Sequence, residues 1–140
     1  MPDLNTYMLP EEPFRFLLEK ECKRAERYAH FFSILMVKLE LSDSDDRLLS
    51  TTASLIQGMI RNSDIMGSLQ NKKLAIILHH ADAQSTDDIT ERIRDRIQDH
   101  TPPFQQDPES QNIRIGGACF PTHACTAQDL LNVAQERAQL

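Results

Sequence analysis

The chain has 140 residues, of which 40% are hydrophobic, a size that fits one domain with a single core and not two. Its formal charge of −6 excludes a general polyanion-binding protein, because affinity for nucleic acid depends on a summed positive field. The most apolar stretch, residues 31–37, is far shorter than the ~20 residues of a membrane helix. We therefore expect a cytoplasmic protein that binds neither nucleic acid nor membranes.

The spacing of apolar residues predicts the elements of the first half of the chain. Residues 1–12 are expected to be an N-terminal extension to a single domain over 13–140. Apolar side chains recur every three or four positions over residues 13–29, as in an amphipathic helix. Residues 31–41 are rich in strand formers and predict a largely buried strand. The Ser-Asp cluster that follows is typical of a helix start and predicts a second helix over 45–61.

The middle of the chain predicts a hairpin followed by a helix. Residues 65–69 and 73–79 read as two short strands, and the Asn between them can take the left-handed conformation of a tight turn. A third helix is predicted over 82–100, with a cap near Ser85 or Thr86 and a stripe of isoleucines on one face.

The last two predicted elements are a strand over 112–120 and a short helix over 127–138. The full order is helix, strand, helix, strand, strand, helix, strand, helix. Because a tight turn joins the central strands, we expect an α+β sandwich with a mainly antiparallel sheet and helices on both faces.

Several stretches fall in the order and register of a known family. They are RAERYAHFFSILMVKLE, IRNSDIMGSLQNKKLAIIL, ERIRDRI, and IRIGGACFP followed by DLLNVAQERA. Together they resemble the GGDEF domain, the family of bacterial diguanylate cyclases that join two GTP molecules into cyclic di-GMP. The resemblance covers residues 14–138 and implies a GGDEF-like, nucleotidyl-cyclase-like fold.

The family's five-residue signature falls on the hairpin turn. Gln70, Asn71, Lys72, Lys73 and Leu74 occupy its positions, so QNKKL stands where the family reads GGDEF. The family's two glycines let the backbone approach the nucleotide, and side chains at these positions fill that space. The resemblance therefore implies a degenerate signature in which only the apolar fifth position is kept in kind.

The family's metal ligands are also replaced. Its magnesium ions are held by carboxylates at the end of the first strand and in the signature. Lys38 and Lys72 stand at two of these positions, and each reverses a charge. Glu40 keeps a second strand position, but one acid cannot hold a metal triphosphate, and a surface ion pair is the preferred interpretation. The segment between residues 41 and 46 is shorter than the family's guanine-binding segment, so we expect no catalysis, no catalytic residues, no metal and no other cofactor.

The lysines have other interpretations that the sequence leaves open. Charged residues at a hairpin tip are a common solubility device. Lys38 can reach solvent with its stem on apolar surface. An anion-binding role for Lys38, Lys72 and Lys73 is the third interpretation.

A second family site has a counterpart here. The family binds its product, cyclic di-GMP, at an inhibitory RxxD motif five residues before the signature, and Arg61 and Asp64 stand at that spacing. Arg92 matches an Arg that the family uses early in its third helix. An Arg fork can donate to guanine and to phosphate, while a carboxylate accepts from guanine N–H groups. The structural alternative is that Arg61 closes the second helix near its dipole and Asp64 begins the turn into the hairpin.

Three hypotheses for function follow. The first is a non-catalytic signalling domain that senses cyclic di-GMP through the RxxD motif, with a protein partner or a second copy as its output. The second is a nucleotide-independent interaction or dimerisation module, which predicts an internal ion pair between Arg61 and Asp64 and an exposed apolar patch around Phe14, Phe16 and Tyr28. The third is an active enzyme, which requires a bound metal.

Cysteine and histidine give no strong metal signal. Cys119, His123 and Cys125 supply only three ligands at an unfamiliar spacing, and the odd number of cysteines fits reduced thiols. His79 and His80 are expected to mark a strand end that exposes one His rather than a metal pair.

Overall fold

The computed structural model describes residues 8–40, 46–70, 73–100 and 112–138. The elements in these ranges are β1 (Met8–Leu9), α1 (Glu11–Tyr28), β2 (Phe32–Glu40), α2 (Asp46–Gln57), β3 (Ile65–Leu69), β4 (Lys73–His79), α3 (Ala83–His100), β5 (Asn112–Phe120) and α4 (Ala127–Ala138). Across the same ranges the strands form one sheet in the order β1-β3-β4-β2-β5. Strand β1 runs parallel to β3, and the other pairs are antiparallel. The predicted α+β fold with a mainly antiparallel sheet is confirmed.

The sheet separates two hydrophobic cores. Successive side chains of β2 point to opposite faces, so Ile34 and Met36 pack under α1 and α4, whereas Leu35 and Val37 pack under α2 and α3. The side chains of all four are at most 1% exposed. Burying each such side chain contributes about 1.5–3 kcal/mol to folding, so the helices stabilise the sheet from both faces. Each helix of the described segments is too short or too polar to span a bilayer.

The first helix starts earlier than the sequence predicted. Residues 8–12, assigned above to an extension, supply β1 and the first residues of α1, and β1 pairs with β3 at Met66 and Gly67. Pro10 precedes the helix, and its carbonyl accepts a hydrogen bond from the N–H of Phe14. Proline is tolerated here because the first N–H groups of a helix have no partner within it.

The second helix is shorter than predicted. It ends at Gln57, not at residue 61. Gly58 has a low helix propensity, and the chain turns there while Met59 and Ile60 fold back onto the core beneath α2. The cap of α3 also differs from the prediction. Asp82, not Ser85 or Thr86, caps this helix by accepting the N–H of Ser85 at 2.8 Å.

Phe14 lies in the core, so its predicted place in an exposed patch is wrong. Its side chain is 0% exposed and packs on Gly67 of β3. A Cβ atom at position 67 would overlap the Phe14 ring, so this contact needs a residue without a side chain. The other two patch residues, Phe16 and Tyr28, are 57% and 59% exposed, as predicted.

Helix α4 approaches β5 closely at Gly116. A Cβ atom there would overlap the backbone of α4 at Ala134 and Ala138. Backbone cannot move aside as a side chain can, so this glycine sets the distance between α4 and the sheet.

We predict that Gly116→Ala lowers the free energy of unfolding by about 1–3 kcal/mol, because α4 must shift away from β5 to relieve the overlap. Gly58→Ala is the matched control, since its added Cβ would meet nothing closer than 3.6 Å. Urea denaturation of both variants measures the difference. Equal stabilities for the two variants would contradict the close packing of α4 on β5.

Candidate functional site

The hairpin turn is fixed to the start of α1. Gln70, which the resemblance places at the first signature position, is exposed, and its N–H donates to Oε1 of Glu11 at 3.0 Å. Leu74, which the resemblance places at the fifth, is fully buried in the core beneath α2 and α3. The predictions for Asn71 and Lys72 lie outside the described residues, as do those for residues 41–45 and for the side chain of Glu40.

Three cations lie side by side at this end of the sheet. Lys38 on the central strand β2 is paired in register with Lys73 on β4 and with Arg114 on β5. Burial lowers the pKa of Lys73, and the neighbouring charge of Lys38 lowers it further. Nζ of Lys73 donates to Oε1 of Gln135 on α4 at 2.8 Å. Basic side chains therefore stand where the resemblance implies metal-binding carboxylates.

Arg61 and Asp64 form one closed turn between α2 and β3. The N–H of Asp64 donates to the carbonyl oxygen of Arg61 at 3.0 Å, and Oδ2 of Asp64 accepts the N–H of Arg61 at 2.9 Å. The prediction that Arg61 closes the second helix is wrong, because the helix ends four residues earlier. The interaction-module hypothesis predicted an ion pair between the side chains of Arg61 and Asp64. The Asp64 carboxylate instead accepts backbone N–H groups.

Asp64 connects this turn to β4 and α1 through His79. Oδ1 of Asp64 accepts the N–H of His79 at 3.0 Å and lies 3.7 Å from its Nδ1. On the other side of the ring, Nε2 of His79 lies 3.1 Å from Oε1 of Glu21 on α1. The Asp64 side chain is only 5% exposed. Three segments distant in sequence thus meet at one imidazole between two carboxylates.

The two carboxylates and the imidazole shift each other's pKa values. Interaction with Asp64 raises the pKa of His79, burial opposes this, and Glu21 raises it further. Burial by itself raises the pKa of Asp64, but hydrogen bonds from His79 and from the N–H of Arg61 outweigh it and the pKa is lowered. Both shifts favour the charged pair.

Arg92 lies on α3 with an exposed side chain. Within the described residues it makes no hydrogen bond or ion pair with Arg61 or Asp64. Helices α2 and α3 pack against each other on one face of the sheet, whereas the Arg61–Asp64 turn is linked through His79 to Glu21 of α1, which covers the other face. The structure joins Arg61 and Asp64 but does not bring Arg92 into contact with them.

The cysteine and histidine residues do not converge on a metal. Cys119 is buried, its Sγ accepts a hydrogen bond from Ser33 Oγ at 2.9 Å, and its N–H donates to Nδ1 of His123. Cys125 is exposed. No group of three His, Cys, Asp or Glu side chains in the described part of the chain is arranged to bind a metal ion. At the end of β4, His80 is exposed, as the sequence predicted.

Sequence reasoning missed several residues that shape these two regions. They are Glu11, Arg15, Glu21, His79 and Gln135. Each makes its contact across a large separation in sequence, so no local spacing pattern identifies it. Two of them are acids of α1: Glu11 contacts the hairpin turn, and Glu21 contacts His79 beside the Arg61–Asp64 turn.

Fold and hairpin together define an α+β domain of the GGDEF type. A sequence model of the family described as "Diguanylate cyclase, GGDEF domain" matches residues 42–139, and the chain belongs to this family. The match includes the RxxD turn, the hairpin, α3, β5 and α4.

Solved structures show the same fold. A DGC protein from Thermotoga maritima has a TM-score of 0.80 and 17% identity, covering 96% of this chain and 98% of that one. The GGDEF domain of DgcB from Caulobacter crescentus, in complex with c-di-GMP, has a TM-score of 0.80 and 14% identity over 98% of this chain and 86% of its own. Diguanylate cyclase SiaD from Pseudomonas aeruginosa, in complex with its activator SiaC, has a TM-score of 0.77 and 17% identity over 98% of this chain and 56% of its own. At these identities the likeness shows the fold alone.

We predict that stability falls as pH rises above neutrality. The raised pKa of His79 means that its contribution is fully present below its ordinary value of 6.5 and is lost as pH rises through the raised value. The lowered pKa of Asp64 works in the opposite sense, since its contribution is present above 3.8 and is lost as pH falls through the lowered value. Urea denaturation between about pH 5 and pH 8 should therefore show a lower free energy of unfolding towards the alkaline end.

His79→Gln should remove most of this dependence on pH. His80→Asn is the matched control, because His80 is exposed and Asn tolerates the left-handed backbone of that position. If the His80 variant flattened the profile and the His79 variant did not, the assignment to the Asp64–His79–Glu21 contact would be wrong.

Proposed function

We propose that this chain is a non-catalytic GGDEF signalling domain that senses cyclic di-GMP through Arg61 and Arg92. The observation that carries the proposal is the Arg61–Asp64 turn, whose backbone is fixed by the Asp64 carboxylate while the Arg61 side chain is exposed. Within the described residues the Arg61 guanidinium has no hydrogen-bond or ion-pair partner. Such a group is available for a ligand, and an Arg fork is well suited to guanine and phosphate.

Asp64 has a positioning role in this proposal. Its two carboxylate oxygens accept the N–H groups of Arg61 and His79, and its side chain is almost fully buried. It therefore has little surface left with which to contact guanine. The carboxylate holds the turn in the geometry from which the Arg61 side chain extends.

The loss of catalysis is supported by the charges at the hairpin. Lys38 and Lys73 are adjacent across two strands, and a positive field there opposes the binding of a divalent cation. Gln70 places a side chain where the family's signature has glycine. We accordingly propose a degenerate signature and no cofactor, with cyclic di-GMP as a regulatory ligand only.

We predict that the protein binds cyclic di-GMP with a dissociation constant of about 1 μM or tighter, equivalent to about −8 kcal/mol. Arg61→Ala should weaken binding by about 1–3 kcal/mol. This variant keeps the backbone N–H that Asp64 holds, so the turn itself should persist. Isothermal titration calorimetry measures both, and unchanged thermal stability of the variant confirms that its fold is intact.

Lys23→Ala removes an exposed cation of α1 and is the control for the loss of one positive charge. A similar loss of affinity in both variants would indicate general electrostatic attraction and would contradict the assignment of the ligand site to Arg61. The absence of heat with cyclic di-GMP would reject the receptor proposal.

A separate prediction concerns catalysis. Protein incubated with GTP and Mg²⁺ should form no cyclic di-GMP above the level of a protein-free control, because the positive field at Lys38 and Lys73 disfavours the metal. Chromatographic separation of the nucleotides gives the answer. Formation of product would restore the active-enzyme hypothesis.

A second candidate function is a nucleotide-independent interaction module. This function is supported by exposed apolar side chains on α1 and just after it. They are Phe16, Leu17, Tyr28 and Phe31, which are 36–59% exposed. SiaD is a structural neighbour that was solved in complex with a protein activator. A protein partner or a second copy of this chain would cover the surface, and calorimetric silence with cyclic di-GMP would favour this function.

A further inference from the structure

Two cavities share one wall near the C-terminal end of α1. The first, of about 470 Å³, lies between α1 and the start of β3, where Leu17 and Ile65 line it. The second, of about 550 Å³, lies between the end of α1 and the end of β5, where Phe120 lines it. His30 and Phe31 line both cavities. These two residues form a ridge that divides one surface, the two-cavity groove, into halves.

The two-cavity groove lies at the opposite end of the sheet from the signature hairpin. In the pairing of β2 with β4, Phe32 and His79 stand at the end next to the ridge, and the hairpin turn is at the other end. Ser63 is the residue of the RxxD turn that contributes to the first cavity. The groove is therefore remote from the hairpin and adjoins the RxxD turn.

The walls of the groove carry apolar side chains. Phe31 on the ridge is 44% exposed, and Leu17 in the first cavity is exposed as well. The lining of the second cavity is mostly apolar and includes Ala25, Phe120 and Pro121. A cavity of about 150 Å³ is enough to bind benzene, so each half of the groove has room for a large apolar side chain. An exposed apolar surface with a polar rim is typical of a protein interaction site.

The ridge is supported from two sides. Ala29 ends α1 with a φ of 56°, and His80 follows β4 with a φ of 58°. Residues other than glycine rarely adopt this left-handed backbone, and where they do, the surrounding structure holds them in it. The His80 ring packs edge-on against the rings of His30 and Phe31, at centroid distances of 5.8 and 6.4 Å. The ridge is therefore preorganised, which lowers the entropic cost of binding a partner.

The rim of the first cavity is positive. Lys20 and Arg24 are four residues apart on α1, so they project from the same side of the helix. Within the described residues neither makes a hydrogen bond or an ion pair, and Nζ of Lys20 lies 5.3 Å from the centroid of the Phe16 ring. Glu21 supplies the carboxylate of this cavity, and that carboxylate is already engaged by His79. Charge complementarity therefore favours an acidic partner at this half of the groove.

We propose that the two-cavity groove binds an acidic amphipathic helix of a partner protein. Large apolar side chains at positions i and i+4 or i+7 of that helix would fill the two cavities, one on each side of Phe31. Carboxylates beside the first side chain would pair with Lys20 and Arg24, whereas Glu26 in the second cavity disfavours an acid there. A flat lipid surface would leave both concave halves unfilled. The proposal rests on the interaction function given above as the second candidate and does not depend on cyclic di-GMP binding at Arg61.

The test is selection from a displayed library of helical peptides against the whole chain at about 0.15 M salt, followed by fluorescence anisotropy of the selected peptides. These peptides are expected to carry Asp or Glu beside large apolar residues. Phe31→Ala should weaken their binding by about tenfold or more, because it removes the ridge between the cavities. Phe16→Ala is the matched control, since Phe16 is an exposed aromatic residue of α1 that lines neither cavity. Thermal denaturation confirms that both variants fold.

A second pair of variants tests the charge of the rim. Lys20→Glu should weaken binding of an acidic peptide by about tenfold and should strengthen binding of the same peptide with Lys in place of its acids. Lys23→Glu makes the same change at an exposed position of α1 that lines neither cavity, and it should leave both affinities unchanged. Selection of basic or uncharged peptides, or equal losses in the variant and the control of either pair, would overturn the proposal. So would a selection that enriches no peptide.

Two further measurements separate this site from its alternatives. Arg61→Ala should bind the selected peptides as the unaltered chain does, and a loss of binding in this variant would place the peptides on the RxxD turn instead. Analytical ultracentrifugation of the chain alone tests for self-association. A dimer that Phe31→Ala dissociates would make a second copy the occupant of the groove and would overturn the assignment to an acidic partner. Calorimetric silence with cyclic di-GMP would reject sensing at Arg61 and leave the peptide result unaffected.

Discussion

Burial of β2 on both faces is the constraint on which the rest of the structure depends. This strand lies between β4 and β5, and its side chains from Phe32 to Val37 are buried under helices on one face or the other. Because both faces are covered, the register of its neighbours cannot slip without moving apolar groups into water. Burial becomes partial at Lys38, where the sheet meets the hairpin end and the cationic region begins. The position of the cationic region is therefore set by where the apolar run of β2 ends, whereas the Arg61–Asp64 turn lies at the other end of the strand, beside His79.

Much of the fold could be predicted because it rests on local patterns. Both strands of the hairpin were predicted with their observed ends, since short apolar runs bounded by turn formers encode them directly. The end of α2 was not predicted correctly, because Met59 and Ile60 continue the apolar spacing although the chain turns at Gly58. Burial of Phe14 was also missed, since it depends on Gly67 in a strand about 50 residues away, which no local pattern reveals.

In the candidate site, too, local spacing predicted some features and missed others. The positions of Arg61 and Asp64 follow from short spacing, and the structure places both in one turn. What Asp64 does there depends on His79, which is 15 residues away, and His79 in turn contacts Glu21, which is 58 residues away. The hydrogen bond between Arg15 and Gln128 spans 113 residues. Contacts of this kind form only when the two halves of the chain pack together, so a sequence alone identifies the residues and not their partners.

The bond between Glu11 and Gln70 has a mechanical consequence. The N–H of Gln70 lies just past the last paired residue of β3, and the side chain of Glu11 holds it in place of a strand neighbour. The first turn of α1 is therefore linked directly to the residue at which the hairpin turn begins. A force that tilts α1 would be transmitted to the hairpin through this hydrogen bond and through the packing of Phe14 on Gly67, and a displacement of the hairpin would reach α1 by the same contacts.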